Sequence, residues 1–310
     1  IMNNSSDKIL VVARKYNDIF YAISTSEWSQ CSKHYLLMIT DRLDQNEYPM
    51  QHLFDKVWSV HAELSHVAIL KQVFILSRIL NQLDYNLVTI SNIVTVANLY
   101  ILNHTKTAKI IMLEDGFMNY YNFVPSNNRI KRLLMKLLFI NVDRVYKKIG
   151  SCYLLEPNRA KYYFGLKKQL RIDADHILKS VPLSMNLEGK SIFVGQPLYL
   201  MNNMSVDEYS TIVNNCISQY AIDYYLSHTM SSKKENVVCQ HIDMSSLQLT
   251  LEVLSSIYNM KIYSFSSSVL FTTKLINHKT ETFAVTHPKV DTIKSDNMIY
   301  DYVNGFVSVN

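Results

Sequence analysis

Short apolar runs alternate with longer segments of helical periodicity through the first half of the sequence, and this alternation constrains the fold more than any other feature. Strands and helices that follow one another in this way are typical of an α/β fold, in which helices cover both faces of a parallel sheet. The second half repeats the alternation more loosely. We predict strands at 8–13, 34–40, 56–60, 86–90, 108–113, 190–200, 222–228, 261–265 and 282–288, and helices at 17–24, 64–83, 93–102, 129–148, 206–219 and 247–258.

The length of the chain favours two domains. At 310 residues it exceeds the size at which one hydrophobic core usually stops growing. We place an N-terminal domain at 1–155 and a C-terminal domain at 156–310, with a cleft between them. The second domain opens with the polar stretch 156–190, whose prolines and glycine are typical of a linker that contains some helix.

The composition is that of a globular protein rather than a disordered or collagenous one, with 48% apolar and 18% charged residues. No run approaches the roughly 18 apolar residues that a membrane span needs. The four cysteines lie far apart without a CxxC pair, which indicates neither a zinc site nor a disulfide framework. A reducing cytoplasm therefore fits the sequence best.

The segment 129–148 is the most basic part of the chain, with seven Lys or Arg residues and a single acid, Asp143. Its apolar residues recur at helical spacing. One interpretation is a helix that packs on the core and leaves a solvated basic side. The other is a helix that docks on anionic lipid head groups. Nucleic acid is not an expected partner, because no nucleic-acid motif accompanies the charge.

Two adjacent carboxylates and a glycine end the strand at 108–113, in the sequence LEDG. Ligands of parallel sheets bind at the carboxyl ends of the strands, so Glu114 and Asp115 are expected at a binding site. Such a pair can hold a metal, act as a general base, or cap the following turn. A carboxylate serves as a base near neutral pH when its surroundings raise its pKa.

Two further strand ends carry candidate residues for phosphate chemistry. Ser266, Ser267 and Ser268 follow the strand at 261–265 and open a helix, where hydroxyls and free backbone N–H groups can hold a phosphate. One serine would suffice as a helix cap. His228 ends the strand at 222–228 and could donate a proton to a phosphate or neutralise its charge.

The order of these motifs resembles that of bacterial sialyltransferases, in particular glycosyltransferase family 52, whose members act on lipooligosaccharide, and the related polysialyltransferases. That family carries an acid-acid-Gly motif, then His-Pro, then Ser-Ser or Ser-Thr. LEDG at 113–116 matches the first motif and YSFSSSVLF at 263–271 the third. The chain departs at the second, because Thr229 follows His228 where proline is expected. The His-Pro pair at His287 and Pro288 lies after the serine motif, which leaves His287 as the alternative histidine.

The resemblance, which spans roughly 108–290, implies two Rossmann-like domains of the GT-B type and an inverting, metal-independent transfer. The donor would be CMP-sialic acid and the acceptor a galactose-type hydroxyl of lipooligosaccharide or capsule. By position, Glu114 would be the base supported by Asp115, and His228 would act at the departing phosphate. The serine triplet would hold that phosphate, and Gly195, Gln196 and Pro197 would lie along the cytidine. A homodimer, peripheral on the inner face of the cytoplasmic membrane through 129–148, is also expected.

Two alternatives remain open on the sequence. One keeps the fold and transfers another sugar from a different nucleotide during surface-polysaccharide assembly. The other is a catalytically inactive glycan-binding scaffold, which the Thr229 departure favours. A dehydrogenase is disfavoured, because no GxGxxG follows any predicted strand. No DxD triplet of the kind found in metal-dependent glycosyltransferases follows any predicted strand, which agrees with a reaction that needs no metal cofactor.

Overall fold

The chain forms two compact units, Ile1–Asp173 and Ala174–Asn310. The structure, a computed structural model, describes residues 7–40, 48, 50–62, 66–105, 109–123, 128–180, 185–200, 204–228, 235–242, 249–290 and 298–309. Each unit contains one parallel sheet with helices in the connections. The predicted α/β class is therefore confirmed.

The first unit is built on seven parallel strands in the order β3-β2-β1-β4-β5-β6-β7. The described elements are β1 Lys8–Ala13, α1 Tyr16–Ile23, β2 Lys33–Thr40, β3 Lys56–His61, α2 His66–Leu80, β4 Leu87–Ile90, α3 Val96–His104, β5 Lys109–Leu113, α4 Arg129–Leu137, α5 Val142–Lys147, β6 Ile149–Leu154 and β7 Leu166–Gln169.

Continuous apolar runs explain why the central strands form. In β1 and β5, every residue after the leading lysine is buried, and all four residues of β4 are buried. Strands covered by helices on both faces need this pattern, because neither face meets water. The predicted strands at 8–13, 34–40, 56–60, 86–90 and 108–113 are confirmed within a residue or two.

The second unit is built on six parallel strands in the order β10-β9-β8-β11-β12-β13. Its core includes an aromatic cluster in which Phe193, Tyr209, Tyr225 and Phe265 are fully buried. The described elements are α6 Ala174–Ser180, β8 Ser191–Val194, α7 Val206–Tyr220, β9 Tyr224–Leu226, β10 Gln240–Ile242, α8 Leu251–Ser255, β11 Lys261–Ser264, α9 Ser268–Ile276, β12 Glu281–Thr286 and β13 Gly305–Ser308.

The strand order reverses at one place in each sheet. In the first unit this switch point lies between β1 and β4, and in the second between β8 and β11. Counted from the first strand of each unit, both sheets begin 3-2-1-4-5-6, the order of the Rossmann fold. Ligands of such sheets bind at the carboxyl ends of the strands beside the switch point.

Several predicted boundaries were wrong. The single helix expected at 129–148 is two helices, because the chain turns at Phe139, with φ 52°, and Asn141 caps α5 by accepting from the Arg144 N–H. The stretch 156–190, expected as a linker, contains β7, which pairs with β6. The strand expected within 190–200 spans Ser191–Val194, and Gly195, Gln196 and Pro197 follow it directly, as predicted.

Other predictions need smaller corrections. The helix expected at 247–258 spans Leu251–Ser255, and residues 243–248 lie outside the described residues. The capping box of α7 is confirmed, since Ser205 accepts from the Glu208 N–H and Glu208 accepts from the Ser205 N–H. Across the described segments, every helix falls short of the length and hydropathy that crossing a bilayer requires.

Candidate functional site

Glu114 follows β5 but points into the core of the first unit. It is 0% exposed, and its Oε2 accepts hydrogen bonds from the Tyr120 hydroxyl at 2.6 Å and the Leu155 N–H at 2.8 Å. Its Oε1 has no hydrogen-bond partner among the described residues. Burial raises the pKa of Glu114 to about 7, although the bond from Tyr120 works in the opposite direction.

Asp115 lies beside the switch point of the first sheet. Its carboxylate accepts from Lys15 Nζ at 2.9 Å and from Asn92 Nδ2 at 3.3 Å. Lys15 follows β1 and Asn92 follows β4, so both strands of the switch point hold this side chain. The Asp115 side chain is 11% exposed, whereas Glu114 is inaccessible. Asp115 is therefore the member of the pair that a ligand at this edge can contact.

The glycine after the two acids has a conformational reason. Gly116 has a φ of 68°, in the left-handed region that side chains with a Cβ rarely adopt. The Asp115 N–H, one residue earlier, donates to Asn119 Oδ1 at 2.6 Å. A short helical turn, Gly116–Asn119, starts directly after the acid pair, and its left-handed first residue accounts for the glycine at this position.

Asp18, which the sequence did not single out, organises the loop after β1. It is buried, and its Oδ2 accepts from the Arg14 N–H at 2.8 Å and the Lys15 N–H at 3.1 Å. Burial raises its pKa, and the nearby Lys15 opposes that effect. These two bonds hold the backbone of Lys15, whose ammonium pairs with Asp115. In the sequence, the only local sign of this role was that Asp18 is an acidic residue within an apolar helix.

In the second unit, Gly195 and Gln196 occupy the carboxyl end of β8. The Gly195 N–H donates to the Leu226 carbonyl at 2.8 Å, which brings the turn against β9. A Cβ on Gly195 would overlap the Tyr225 hydroxyl and lie 2.7 Å from its Cζ, so only glycine fits there. The Gln196 N–H donates to the Tyr209 hydroxyl at 2.8 Å, and Pro197 follows in the same turn.

The structure brings the 195–197 turn and the serine triplet together. The Ser266 N–H donates to Gln196 Oε1 at 2.9 Å, and the Ser264 hydroxyl donates to the Val194 carbonyl at 2.8 Å. Ser267 caps α9 by accepting from the Val269 N–H at 3.3 Å. Ser266, Ser267 and Ser268 are all half-buried at this edge. Capping explains the presence of Ser267. Ser266 and Ser268 do not cap the helix.

Both candidate histidines lie at the same edge of the second sheet, on opposite sides of its switch point. His228 follows β9, the neighbour of β8, and His287 follows β12, the neighbour of β11. Burial lowers the pKa of His228, and Glu235 opposes this. Burial lowers the pKa of His287 as well, and Lys289 adds to the effect. The strand order places the two histidines equivalently, so it does not choose between them.

Glu235 is a second residue that the sequence did not single out. It is buried, and it accepts from the Tyr225 hydroxyl at 3.0 Å, the Ser227 hydroxyl at 3.2 Å and the Tyr199 hydroxyl at 3.3 Å. Tyr225 is also the residue against which Gly195 packs. The carboxylate thus anchors the side chains beneath the 195–197 turn. Its partners lie 8, 10 and 36 residues away in the sequence, and no local motif links them to Glu235.

Metal ligands were sought among the same residues. No group of three His, Cys, Asp or Glu side chains arranged to hold a metal ion occurs in the described parts of the chain. Glu114 and Asp115 are instead engaged by Tyr120, Leu155, Lys15 and Asn92. These four neighbours are hydrogen-bond donors, and each is directed at an oxygen of the acid pair.

Comparison with known proteins supports the fold. No protein-family model and no curated protein sequence matches the chain. A solved structure assigned as a UDP-N-acetylglucosamine 2-epimerase from Listeria monocytogenes is 7% identical with a TM-score of 0.54, covering 89% of this chain and 78% of that one. Spinosyn forosaminyltransferase SpnP is 10% identical with a TM-score of 0.53, covering 91% and 80%. At these identities the likeness concerns the fold alone, and it agrees with two Rossmann-like units of the GT-B type.

Proposed function

We propose that the protein is an inverting glycosyltransferase that moves sialic acid from CMP-sialic acid to a galactose-type hydroxyl of a bacterial surface glycan. One observation carries the proposal: candidate groups of the expected kinds lie at the ligand-binding edge of both sheets. The first edge presents Asp115 beside Lys15, and the second presents Gln196 joined to Ser266. Glycosyl transfer needs a proton acceptor for the incoming hydroxyl and hydrogen-bond donors for the departing phosphate.

On the acceptor side, burial favours exchanging the roles predicted for the two acids. Glu114, expected to be the base, is inaccessible and held by Tyr120 and Leu155. Asp115, expected to support it, is the accessible carboxylate, and we assign the proton-accepting role to it. Glu114 then holds the end of β5 in position from the core side. Lys15 pairs with Asp115 and orients its carboxyl group until the acceptor hydroxyl binds.

On the donor side, the residues at the end of β8 and β11 form an anion-binding edge. The serine hydroxyls and the N–H groups at the start of α9 are donors suited to the CMP phosphate. Gly195, Gln196 and Pro197 would lie along the cytidine, as the resemblance implies. His228 would donate a proton or positive charge to the departing phosphate, with His287 as the rival. A phosphate that leaves as an anion is stabilised most by donors that are already in place.

The reaction is proposed to need no metal. A nucleoside monophosphate leaves with less charge than a diphosphate, so backbone and side-chain donors can replace a cation. Treating the purified protein with EDTA should leave the rate of CMP release unchanged. A loss of activity that Mg²⁺ restores would count against this part of the proposal.

The defining experiment supplies purified protein with CMP-sialic acid and a galactose-terminated oligosaccharide, and measures CMP release and the mass of the glycan product. Asp115→Asn should lower the rate by about 10²- to 10⁴-fold, the usual contribution of a general base. It should leave CMP affinity within about twofold, because Asp115 is assigned to the acceptor. Unchanged turnover in Asp115→Asn would refute the assigned role.

The same assay separates the alternatives. Release of UDP from a UDP-sugar, with CMP-sialic acid left intact, would identify a transferase of another nucleotide sugar. The epimerase neighbour is named for UDP-N-acetylglucosamine, so a UDP-sugar is the second donor to test. Glycan binding that survives Asp115→Asn, with no donor consumed, would identify an inactive scaffold, the alternative that Thr229 favours.

Peripheral attachment to the inner face of the cytoplasmic membrane is proposed through the surface of α4 and the turn after it. Only Leu134 of α4 is buried, so packing on the core explains little of its apolar surface. Phe139 in the following turn is 87% exposed. Apolar residues beside cations are the composition of a lipid-docking surface. We define the α4 surface as Arg129, Ile130, Arg132, Leu133, Lys136, Leu137 and Phe139, all exposed.

A homodimer is proposed from the resemblance. Sedimentation-velocity analysis over a range of protein concentrations would measure it directly. A monomer at all concentrations would remove dimerisation from the proposal and leave the site assignments standing, since each is made within one chain.

A further inference from the structure

A cavity of about 280 Å³ opens at the carboxyl edge of the first sheet. The loops after β1, β3 and β4, the end of β2 at Ile39, helices α2 and α3, and the inner side of α4 all contribute to its wall. It therefore lies on the switch-point side of the sheet, where Asp115 also lies. It is separate from the acid pair, since neither Glu114 nor Asp115 lines it.

The wall of the cavity combines aliphatic side chains with two cations. Most of the lining is aliphatic, and no described lining residue is aromatic or carries a carboxylate. The polar side chains of the wall, Gln72, Thr95 and Asn128, are already bonded to the His61 carbonyl, the Asn98 N–H and the Lys131 N–H. The described lining offers no aromatic face on which a sugar ring could stack. The residues that decide the chemistry are Ile39, Ile69, Val94 and Leu134 on the apolar side and Arg14 and Lys131 as cations.

The two cations differ in exposure. Arg14 is exposed at the mouth of the cavity, whereas Lys131 is half-buried in its wall. Burial lowers the pKa of Lys131, because the ammonium has lost part of its hydration. A bound anion would stabilise the charged form of this ammonium. An aliphatic chamber with cations suits a ligand that is apolar at one end and anionic at the other.

Helix α4 joins this cavity to the surface proposed to meet the bilayer. Lys131 and Leu134 line the cavity, while Leu133 and Leu137 on the same helix are 67% and 59% exposed. One helix thus has a cavity on its inner side and apolar side chains with cations on its outer side. A ligand that leaves a membrane beside α4 would need to pass only around this helix to enter the cavity.

We propose that the cavity binds the lipid end of the glycosyl acceptor, holding a phosphate against Arg14 and Lys131 and the first methylenes against the aliphatic wall. The inference rests on the proposed function in assigning the ligand as acceptor. It makes the substrate class a phosphate-bearing glycolipid presented by a membrane, rather than a free oligosaccharide. Asp115, at the same edge of the sheet, would then meet the glycan part of that lipid.

The test uses alkyl phosphates as probes, because they carry the proposed chemistry without a sugar. Calorimetric titration of the purified protein with ethyl, butyl, hexyl and octyl phosphate, all below micelle formation, gives affinity against chain length. Each methylene buried in the cavity should increase affinity by up to about fourfold. The increase should stop once the cavity is full, since further methylenes remain in water. Inorganic phosphate and hexanol should each bind at least about tenfold more weakly than hexyl phosphate.

Variants locate the binding. Lys131→Gln should weaken hexyl phosphate by at least about tenfold, because a charge-assisted bond is lost. Ala62→Trp should abolish binding by filling the cavity, since Ala62 lines it and is only half-buried. Lys71→Gln, an exposed lysine on α2 outside the lining, should change affinity less than twofold. Circular dichroism and thermal unfolding confirm that each variant is folded.

A second probe separates the cavity from the docking surface. Lys136→Gln should reduce co-sedimentation with vesicles of phosphatidylglycerol in phosphatidylcholine and leave hexyl phosphate affinity unchanged. Lys131→Gln should show the opposite pattern. Equal effects of the two lysine variants on the affinity for hexyl phosphate would overturn the proposal. The phosphate would then be attracted to surface cations in general rather than bound in the cavity. Tight binding of inorganic phosphate with no gain from the alkyl chain would overturn it too, leaving a simple anion site.

These measurements use neither donor nor turnover, so they stand apart from the proposed function. Cavity binding without any transfer from CMP-sialic acid would refute the proposed function and keep the lipid site. Transfer to a soluble oligosaccharide with no alkyl phosphate binding would keep the proposed function and refute the lipid site.

Discussion

Replacing Glu114 with glutamine tests the electrostatics of the first unit most directly. Glu114 is completely buried, and burial raises its pKa from the usual 4.5 to about 7. The unfolded chain has the usual value. Between the two values, the folded protein keeps a proton that the unfolded chain has released. The free energy of unfolding therefore falls as pH rises through this window, and above about pH 7 the fall is complete.

The size of the effect follows from the two pKa values. The interval from 4.5 to about 7, at about 1.36 kcal/mol for each pH unit, amounts to roughly 3 kcal/mol. Glutamine has no charge at any pH and should lack this fall. Its amide brings N–H donors to a place where Oε1 has no partner among the described residues, at a cost of roughly 1 kcal/mol. Glu114→Gln should thus be less stable near pH 4.5 and more stable by roughly 2 kcal/mol near pH 8.

Urea unfolding followed by tryptophan fluorescence is the appropriate assay, because both tryptophans of the chain, Trp28 and Trp58, lie in the first unit. Asp143→Asn, which neutralises an exposed carboxylate of the same unit, should keep the pH profile of the wild type. Tyr120→Phe should move the fall to higher pH, since the bond from Tyr120 lowers the pKa of Glu114. Parallel pH profiles for Glu114→Gln and the wild type would refute the reasoning.

Three further predictions concern the other parts of the molecule. Gly195→Ala should destabilise the 195–197 turn by about 1–3 kcal/mol, because its Cβ would overlap Tyr225. It should also weaken CMP binding, measured by calorimetry. Gly305→Ala, whose Cβ would lie 3.8 Å from its nearest neighbour, should be neutral. His228→Asn should lower the rate of CMP release by at least about tenfold and His287→Asn by less than twofold, and the reverse result would select His287. Leu133→Ser should reduce co-sedimentation with anionic vesicles, whereas Leu166→Ser, at a leucine with the same 67% exposure, should not. Equal losses of co-sedimentation in the two variants would argue against docking through α4.

The sequence predicted the central strands well and the marginal ones poorly, for a physical reason. β1, β4 and β5 are buried on both faces, so they appear as unbroken apolar runs. β13 alternates between half-buried and exposed residues at the edge of the sheet, where all four of its residues pair with β12. A run of four with this pattern is too short to stand out in the sequence. β6 escaped prediction because Gly150 and Ser151 interrupt its apolar pattern.

The break in the basic segment shows what periodicity leaves undetermined. Apolar residues at helical spacing indicate one face of a helix, and the spacing is present in α4. Whether that face is buried depends on contacts with distant residues, and most of it is exposed here. The spacing continues past Phe139, where a left-handed φ and the cap at Asn141 end one helix and start another. Periodicity alone cannot distinguish a continuous helix from two that share a repeat.

The candidate site was predictable in position but not in the roles of its residues. Motifs that follow parallel strands must collect at one edge of each sheet, and the Ser266 bond to Gln196 shows this for the second unit. Glu114 and Asp115 are adjacent, and successive residues at the end of a strand point to opposite sides. One of the two side chains therefore points to the core of the unit, and the other points to the edge of the sheet. Assigning them needed the contacts of Tyr120, six residues after Glu114, and of Lys15, which is 100 residues away from Asp115 in the sequence.

The two sheets share a strand order yet offer different chemistry at their switch points. In the first unit, a cation and a carboxylate face each other, as Lys15 and Asp115. In the second, the same location has a turn that only glycine fits and hydroxyls beside a helix start. A carboxylate paired with a lysine can exchange the lysine for a substrate hydroxyl and accept its proton, whereas backbone and serine donors favour a bound anion. The repeated topology thus provides two equivalent edges, and under the proposed function the residues on them would divide proton transfer from phosphate binding.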